Sequence, residues 1–188
     1  MASYDKYYET PDLFGAAFPA LLEFFEKEKK QGKVLDLGCG QGRNAIPVAR
    51  LGFEVTGVDI SEVGIEQMLG KAAQEELNVQ GICHDIYTLE IIDQYDYILL
   101  DSMFHFTKKD KVKEVTFIRK IIHDLRPGAV LCICIQDTGK KVSILKSAVA
   151  ENDVNLKEEV DFTYTFEDPG SDHSSKTSYK FLTWTKGR

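Results

Sequence analysis

The sequence has no surplus of positive charge and no pattern of cysteines that would bind a metal. Its 23 Lys and Arg residues face 30 Asp and Glu residues, which gives a formal net charge of −7. Nucleic-acid-binding domains usually carry a basic surplus, so this balance disfavours an RNA or DNA substrate. The four cysteines form no C-x-x-C pair, which argues against a zinc-finger array. We expect reduced core thiols and no metal site.

Long apolar runs and targeting signals are also missing. Residues 1–30 lack the basic start and apolar run of a signal peptide. No apolar stretch is long enough to span a bilayer. The length of 188 residues suits one domain that needs no disulfide or metal to fold. We therefore expect a single cytoplasmic domain over residues 1–188 with no membrane segment, and its oligomeric state stays open.

Short apolar runs alternate with helical patterns along the chain. The runs are bounded by Gly, Asp or Pro, as buried parallel strands are, and lie at 33–38, 53–58, 79–84, 95–101 and 129–135. Helical patterns lie near 43–50, 61–76, 108–125 and 141–151. The segments 161–166 and 178–185 flank strong turn chemistry and predict an antiparallel hairpin. The alternation predicts a doubly wound α/β sheet, which binds ligands beyond the carboxyl ends of its strands.

The first predicted strand leads into a glycine-rich turn, VLDLGCGQGRN, at residues 34–44. The dinucleotide fingerprint G-x-G-x-x-G would place its third glycine at position 43, but that residue is Arg43 and the glycine is Gly42. The P-loop pattern is not matched either, because no Lys follows at the required place. The glycine spacing alone therefore leaves the ligand of this turn open.

Three carboxylates narrow the choice of ligand. Asp36 lies in the first strand, Asp59 ends the second and Asp85 ends the third. A carboxylate at the tip of the second strand can accept from both ribose hydroxyls, and an acid after the third can accept from an adenine amino group. A carboxylate near the turn suits a cation and repels a pyrophosphate. S-adenosylmethionine fits this description. The structural alternatives are that Asp36 only caps the turn and that Asp59 and Asp85 are helix N-caps.

In these segments the sequence resembles the class I S-adenosylmethionine-dependent methyltransferases. VLDLGCGQG is similar to their motif I, VTGVDIS to the acid that ends strand 2, and CHDIY to the adenine-contacting motif. The resemblance implies a Rossmann-like, mostly parallel seven-stranded sheet in the order 3-2-1-4-5-7-6, with strand 7 antiparallel and helices on both faces. It also implies an N-terminal lid or helix over 1–30 and a core over 33–188.

The same resemblance implies a set of cofactor-binding residues. The turn would wrap the methionine part, and Asp59 would hold the ribose hydroxyls while Ile60 packs on the adenine. Asp85 would meet the adenine amino group beside the Ile86 backbone N–H, and Asp36 would orient the turn and the ammonium of the ligand. The full predicted set is Asp36, Gly38, Cys39, Gly40, Asp59, Ile60, Asp85, Ile86 and Asp101.

The segment DSMFHF at residues 101–106 follows the fourth strand, which faces the methyl group in the resembled family. Methyl transfer is an in-line displacement, so an enzyme mostly positions the nucleophile and excludes water. His105 is the candidate base if the nucleophile carries a proton. Its alternative is a histidine packed between Phe104 and Phe106. Asp101 is predicted to contact the cofactor or substrate, or else to cap the next helix.

The segment GQGRNA is similar to the motif of tellurite-resistance-type methyltransferases. By that resemblance Arg43 could steer an anionic substrate such as an oxyanion or carboxylate, and its alternative is a surface arginine. The chain departs from that subfamily at DSMFHF and in its hairpin loop. The Tyr-rich start, with Tyr4, Tyr7 and Tyr8, is either an aromatic lid or a mobile terminus. The residues predicted on the substrate side are Arg43, Phe104, His105 and Tyr7.

The sequence therefore predicts an S-adenosylmethionine-dependent methyltransferase. Its acceptor would be a small molecule, because no inserted domain is present, and an anionic metabolite or metalloid oxyanion is one option. The main alternative is a non-catalytic module that binds S-adenosylmethionine and acts through a protein partner. An NAD-linked oxidoreductase is disfavoured, because position 43 lacks glycine and no Tyr-x-x-x-Lys pair follows the fourth strand.

Overall fold

The computed structural model describes residues 5–6, 8–10, 12–29, 31–150, 152–167 and 174–187. The chain divides into two compact units, Met1–Leu100 and Asp101–Arg188. That residues 1–188 form one domain stays a prediction. No helix in these described ranges has the length and apolar character needed to cross a bilayer.

The first unit carries the glycine turn. Its helices and strands are α1 Pro19–Lys27, β1 Lys33–Leu37, α2 Ala45–Arg50, β2 Glu54–Asp59, α3 Glu62–Gln74, β3 Val79–Cys83 and β4 Tyr97–Asp101. The last residue of β4, Asp101, is counted in the second unit. Short 3-10 turns lie at Ile86–Thr88 and Ile92–Gln94. β1 pairs in parallel with both β2 and β4, and β2 pairs in parallel with β3. β1 and β4 are almost wholly buried, as the central strands of parallel sheets are.

Aromatic packing fixes α1 to the strands of this unit. The ring of Phe25 lies 5.1 Å from that of Phe53 and 5.4 Å from that of Tyr97, in edge-to-face geometry. Tyr97 donates a hydrogen bond of 3.0 Å from its hydroxyl to Glu28 Oε2, just after the helix. Pro19 begins α1, a position where its missing N–H costs nothing. The helix predicted within residues 1–30 is therefore present and held by its apolar side.

The second unit contains α4 Lys111–Asp124, β5 Val130–Gln136, α5 Lys140–Ala150, β6 Val154–Glu167 and β7 Ser174–Lys186. β7 pairs antiparallel with both β5 and β6. The seven strands follow the order β3-β2-β1-β4-β5-β7-β6 in one sheet. The predicted strand order and the antiparallel β7 are thus confirmed.

The terminal hairpin is longer than its sequence pattern indicates. β6 begins at Val154 instead of at residue 161, and β7 begins at Ser174 instead of at residue 178. The added part of β6 is charged, so its intrinsic strand preference is low. Its backbone nevertheless pairs with β7 from Val154 opposite Lys186 onward, across a bulge between Leu156 and Glu158. The backbone hydrogen bonds between β6 and β7 here outweigh the low strand propensity of these residues.

We expect the aromatic cluster around α1 to support the stability of the first unit. Replacing Phe25, which is 1% exposed, by alanine leaves a cavity and should lower the free energy of unfolding by about 3–5 kcal/mol. Urea denaturation followed by circular dichroism measures the change. Phe14, which is 44% exposed, provides the control, and Phe14→Ala should cost much less. Equal losses for the two variants would contradict the packing role of Phe25.

Candidate functional site

The turn after β1 needs its glycines for two physical reasons. Gly38, Gly40 and Gly42 have φ values of 83°, 50° and 83°, in the left-handed region that favours glycine. Space is also short, because a Cβ on Gly40 would lie 2.6 Å from the Tyr8 hydroxyl oxygen. A Cβ on Gly42 would lie 2.6 Å from Met68. The turn therefore accepts side chains poorly at these positions.

Four backbone N–H groups of this turn donate to acceptors within the protein. Gly38 and Cys39 both donate to the Val58 carbonyl, at 2.7 and 3.1 Å. Gly40 donates to Asp59 Oδ2 at 2.9 Å, and the N–H of Gly42 donates to the Cys39 carbonyl at 2.9 Å. A phosphate cradle has to offer such N–H groups to its ligand. This turn uses them internally, so it does not suit a phosphate.

Asp59 is 7% exposed, and backbone N–H groups bind both of its carboxylate oxygens. Besides the bond to Gly40, Oδ1 accepts from the Ser61 N–H at 2.8 Å. Burial raises the pKa of Asp59, and the hydrogen bonds from Ser61 and Gly40 oppose that rise. Ser61, and not Asp59, is the N-cap of α3, since its side chain accepts from the Gly64 N–H at 3.1 Å.

A second buried carboxylate belongs to the same part of the unit. Asp36 is 1% exposed, in the central strand β1, opposite Gly57 of β2 and Leu99 of β4. Burial, and then the charges of Asp36 and Asp59, raise the pKa of the Cys39 thiol well above its usual range. Asp36 and Asp59 therefore place negative charge beside Cys39, which favours a cationic ligand at this part of the turn.

The residues predicted to meet an adenine follow β2 and β3. Ile60 comes directly after Asp59 and is 52% exposed, so its apolar side chain is accessible beside the buried strand end. Asp85 is half-buried and caps the 3-10 turn, because its Oδ1 accepts from the Tyr87 N–H at 3.0 Å. The Asp59 carbonyl accepts from the His84 N–H at 2.9 Å, which joins the two strand ends. Ile86 is buried, and the contacts of these residues with an adenine stay predictions.

Residues from the N-terminal side lie against the turn. Asp5 is 8% exposed, and its Oδ1 accepts from the Ser61 hydroxyl at 2.5 Å. Arg43 donates to the Phe14 carbonyl at 3.1 Å and lies over the Phe18 ring at 4.5 Å from its centroid. The observed contacts of Arg43 are thus with the N-terminal segment, and its contact with a substrate stays a prediction. Tyr7, predicted on the substrate side, lies outside the described residues, as does Tyr4.

The segment DSMFHF opens the second unit. Asp101 is 9% exposed, and its Oδ1 accepts from the Ser102 hydroxyl at 2.9 Å. Phe104 and Phe106 are buried and stack on one another, with centroids 5.7 Å apart and ring planes inclined by 10°. The side chain of His105 is exposed instead of packed between them. α4 has Asp110 as its N-cap, so Asp101 does not cap that helix.

Glu114 is a polar residue of this unit that the sequence analysis missed. It is 2% exposed on α4, and its two carboxylate oxygens accept from the backbone N–H groups of His105 at 3.1 Å and Phe106 at 2.6 Å. Its burial could have been predicted, because helical spacing places it on the same face of α4 as the buried Phe117, Ile118 and Ile121. Glu114 fixes the backbone that carries His105.

The first unit thus joins most of the predicted cofactor residues in one place, namely Asp36, Gly38, Cys39, Gly40, Asp59 and Ile60, with Asp85 and Ile86 after the neighbouring strand. Asp101, Phe104 and His105 form part of the second unit. Within the described ranges, no group of three or more His, Cys, Asp or Glu side chains could hold a metal ion.

Comparison with known proteins extends these observations. The family model "Tellurite resistance protein TehB" matches residues 4–169. The chain is 37% identical over 83 residues to the "Probable S-adenosyl-L-methionine-dependent methyltransferase TehB" of Haemophilus influenzae (strain 10810). That match covers 44% of this chain and 29% of the relative, so the chain spans under a third of the relative's length.

Two solved structures share the fold. One comes from work on the conversion of a disulfide bond into a thioacetal group during echinomycin biosynthesis, with a TM-score of 0.81, 22% identity, and coverage of 98% of this chain and 91% of that one. The other is the N-methyltransferase NodS from Bradyrhizobium japonicum WM9 in complex with S-adenosylhomocysteine. Its TM-score is 0.76 at 14% identity, and the match covers 99% of this chain and 97% of NodS.

We expect the cysteines to differ sharply in reactivity. Cys39, Cys132 and Cys134 are buried, whereas Cys83 is exposed. The native protein should therefore react with about one equivalent of a thiol reagent such as 5,5′-dithiobis(2-nitrobenzoate), and with all of its cysteines after unfolding in guanidinium. A Cys83→Ser variant is the control and should lose the reaction of the native protein, because Cys83 differs from the other three in its exposure. Rapid native labelling of Cys39 would contradict its burial and its raised pKa.

Proposed function

The chain belongs to the tellurite resistance protein TehB family, which is of the class I S-adenosylmethionine-dependent methyltransferase type, and from this premise we propose that it transfers a methyl group from S-adenosylmethionine to a small-molecule acceptor. The observation that carries the proposal is the turn after β1. Four of its N–H groups donate within the protein, while two buried carboxylates, Asp36 and Asp59, lie close by in the fold. Such a site suits an adenosyl cation and repels a phosphate.

The chemistry of the predicted residues fits this cofactor. Each carboxylate oxygen has a second lone pair, so Asp59 can accept from ribose hydroxyls while it keeps its bonds to Gly40 and Ser61. Ile60 supplies an exposed apolar surface of the kind that an adenine ring covers. The turn would hold the methionine part through its carbonyl groups. When bound, S-adenosylmethionine supplies an electrophilic methyl group on a sulfonium.

His105 is the group that we propose for moving a proton. Its imidazole is exposed, so it is accessible to an acceptor, and Glu114 holds its backbone N–H. A neutral imidazole can accept a proton from a hydroxyl, amine or thiol nucleophile as the new bond to carbon forms. An acceptor without a proton, such as a metalloid oxyanion, would not need this step. Asp101 and Phe104 are proposed to border the acceptor.

The substrate itself is proposed by class alone. An anionic metabolite or a metalloid oxyanion agrees with the family description. Among the described residues, the elements from β1 to β7 follow one another without an inserted domain that would enclose a large acceptor. A non-catalytic module that binds S-adenosylmethionine and acts through a protein partner is the second candidate. The exposed His105 favours catalysis, because a module that only binds the cofactor has no need of an accessible imidazole after the fourth strand.

Binding of S-adenosylhomocysteine, the demethylated product, tests the cofactor site. We expect calorimetry to detect binding to the wild-type protein, and Asp59→Ala to weaken it about 10- to 100-fold, the range for lost hydrogen bonds to a charged group. Asp93→Ala is a matched control, because Asp93 is an exposed acid of the same unit. Absence of binding to the wild-type protein would refute the proposal, and equal affinity of Asp59→Ala would refute the role of Asp59.

Turnover distinguishes the enzyme from the binding module. A panel of hydroxyl, amine, thiol and oxyanion acceptors, assayed for homocysteine derived from the product, should reveal at least one substrate. His105→Ala should lower the rate about 10²- to 10⁴-fold for an acceptor that carries a proton, with unchanged affinity for S-adenosylhomocysteine. A rate that does not change with pH or with this substitution would rule out the base. Cofactor binding without turnover on any acceptor would favour the module.

A further inference from the structure

Gln41, the residue between the second and third glycines of the turn, has a buried side chain with several partners. It is 6% exposed. Its Nε2 donates to the Thr10 carbonyl at 2.8 Å and to Gln67 Oε1 at 2.7 Å, and its Oε1 accepts from the Leu13 N–H at 3.0 Å. A buried amide that is satisfied on both sides holds its partners in one arrangement. Gln41 thus connects the turn to the N-terminal segment, a name used below for the described residues from Asp5 to Leu13.

Gln67 extends this attachment from α3. Its Nε2 donates to the Tyr8 carbonyl at 2.8 Å, while its Oε1 accepts from Gln41. The two carboxamides, here called the Gln41–Gln67 clasp, therefore bind the backbone of Tyr8, Thr10 and Leu13. These contacts lie within the first unit and join residues that are distant in sequence.

The clasp brings two side chains of the N-terminal segment to the proposed cofactor site. Tyr8 is 4% exposed, and its hydroxyl oxygen lies 2.6 Å from the position that a Cβ on Gly40 would take. Its ring also borders Gly64, whose added Cβ would lie 3.1 Å from Tyr8 Cε2. Asp5 accepts from the Ser61 hydroxyl, and the N–H of Ser61 donates to Asp59. Both side chains thus border the residues proposed to hold the methionine and the ribose.

We propose that Gln41 and Gln67 are positioning residues that seat the N-terminal segment against the glycine turn, so that Asp5 and Tyr8 complete the S-adenosylmethionine site. The inference rests on the proposed function. Because a ligand that binds the seated form favours that form, the cofactor and the clasp stabilise one another. Loosening the clasp therefore weakens cofactor binding without touching any group that contacts the ligand directly.

The test compares Gln41→Leu, Gln67→Leu and the double variant with the wild-type protein. S-adenosylhomocysteine affinity, measured by calorimetry, should fall about tenfold in each single variant, the range for one or two buried hydrogen bonds. The double variant should lose little more, because the two side chains act as one unit. Gln74→Leu is the control, since Gln74 is an exposed glutamine on the same helix, and its affinity should equal that of the wild type.

Hydrogen exchange supplies a readout that a general loss of stability would not mimic. In the wild-type protein, S-adenosylhomocysteine should increase protection of the backbone N–H groups between residues 8 and 13. In Gln41→Leu the Leu13 N–H loses its acceptor, so the ligand should protect this segment less, while amides of β1 and β4 stay protected. Gln67→Leu changes a half-buried side chain and keeps the test available if Gln41→Leu fails to fold.

Two results overturn the inference in different ways. Wild-type affinity in both clasp variants, with protection lost between residues 8 and 13, would show that the segment does not complete the site. Wild-type protein that binds no S-adenosylhomocysteine would overturn the proposed function and, with it, the role of the clasp. The first result leaves the proposed function standing, so the two failures are distinguishable.

Discussion

The hydrogen bond from the Gly40 N–H to Asp59 Oδ2, at 2.9 Å, connects the turn after β1 to the end of β2, and the rest of the proposed site depends on it. Burying a carboxylate lowers the stability of the fold unless hydrogen-bond donors satisfy its oxygens. The backbone N–H groups of Gly40 and Ser61 are two such donors for Asp59. The same bond removes the Gly40 N–H from the donors available to a ligand. One interaction therefore stabilises the acid and sets the charge preference of the turn.

The network continues outward from this bond. Ser61 donates through its N–H to Asp59 and through its hydroxyl to Asp5, while its oxygen also caps α3. The Gln41–Gln67 clasp joins the turn, α3 and the N-terminal segment by a second route. Both sets of hydrogen bonds reach the N-terminal segment. We therefore expect the conformation of that segment and the position of the Asp59 carboxylate to depend on one another. The described residues Asp5, Tyr8, Thr10 and Leu13 all take part in these contacts.

Local patterns predicted the parallel part of the sheet well, because short apolar runs between Gly and Asp residues carry their own signal. They failed for the first half of β6, whose strand conformation comes from pairing with β7. Local sequence patterns likewise cannot predict hydrogen bonds between polar side chains and residues elsewhere in the chain. The partners of Gln41 include Leu13 and Gln67, and those of Glu114 lie in an irregular segment. Helical spacing marks the burial of Glu114 but not its partners, and no periodicity marks those of Gln41. Asp59 and Asp85 could be proposed as site residues because Asp59 ends a recognisable strand and Asp85 follows one closely.

The buried thiol of Cys39 gives a second reason for negative charge on Asp36 and Asp59. A thiolate beside an electrophilic methyl group would compete with the intended acceptor, because the thiolate is the reactive form of cysteine. Burial and the charges of Asp36 and Asp59 raise the pKa of this thiol and keep it neutral. The same two carboxylates favour a sulfonium and an ammonium. A basic residue in their place would weaken the proposed cofactor's binding and remove the part of the rise in the Cys39 pKa that these charges cause, so the acidic surroundings serve both requirements at once.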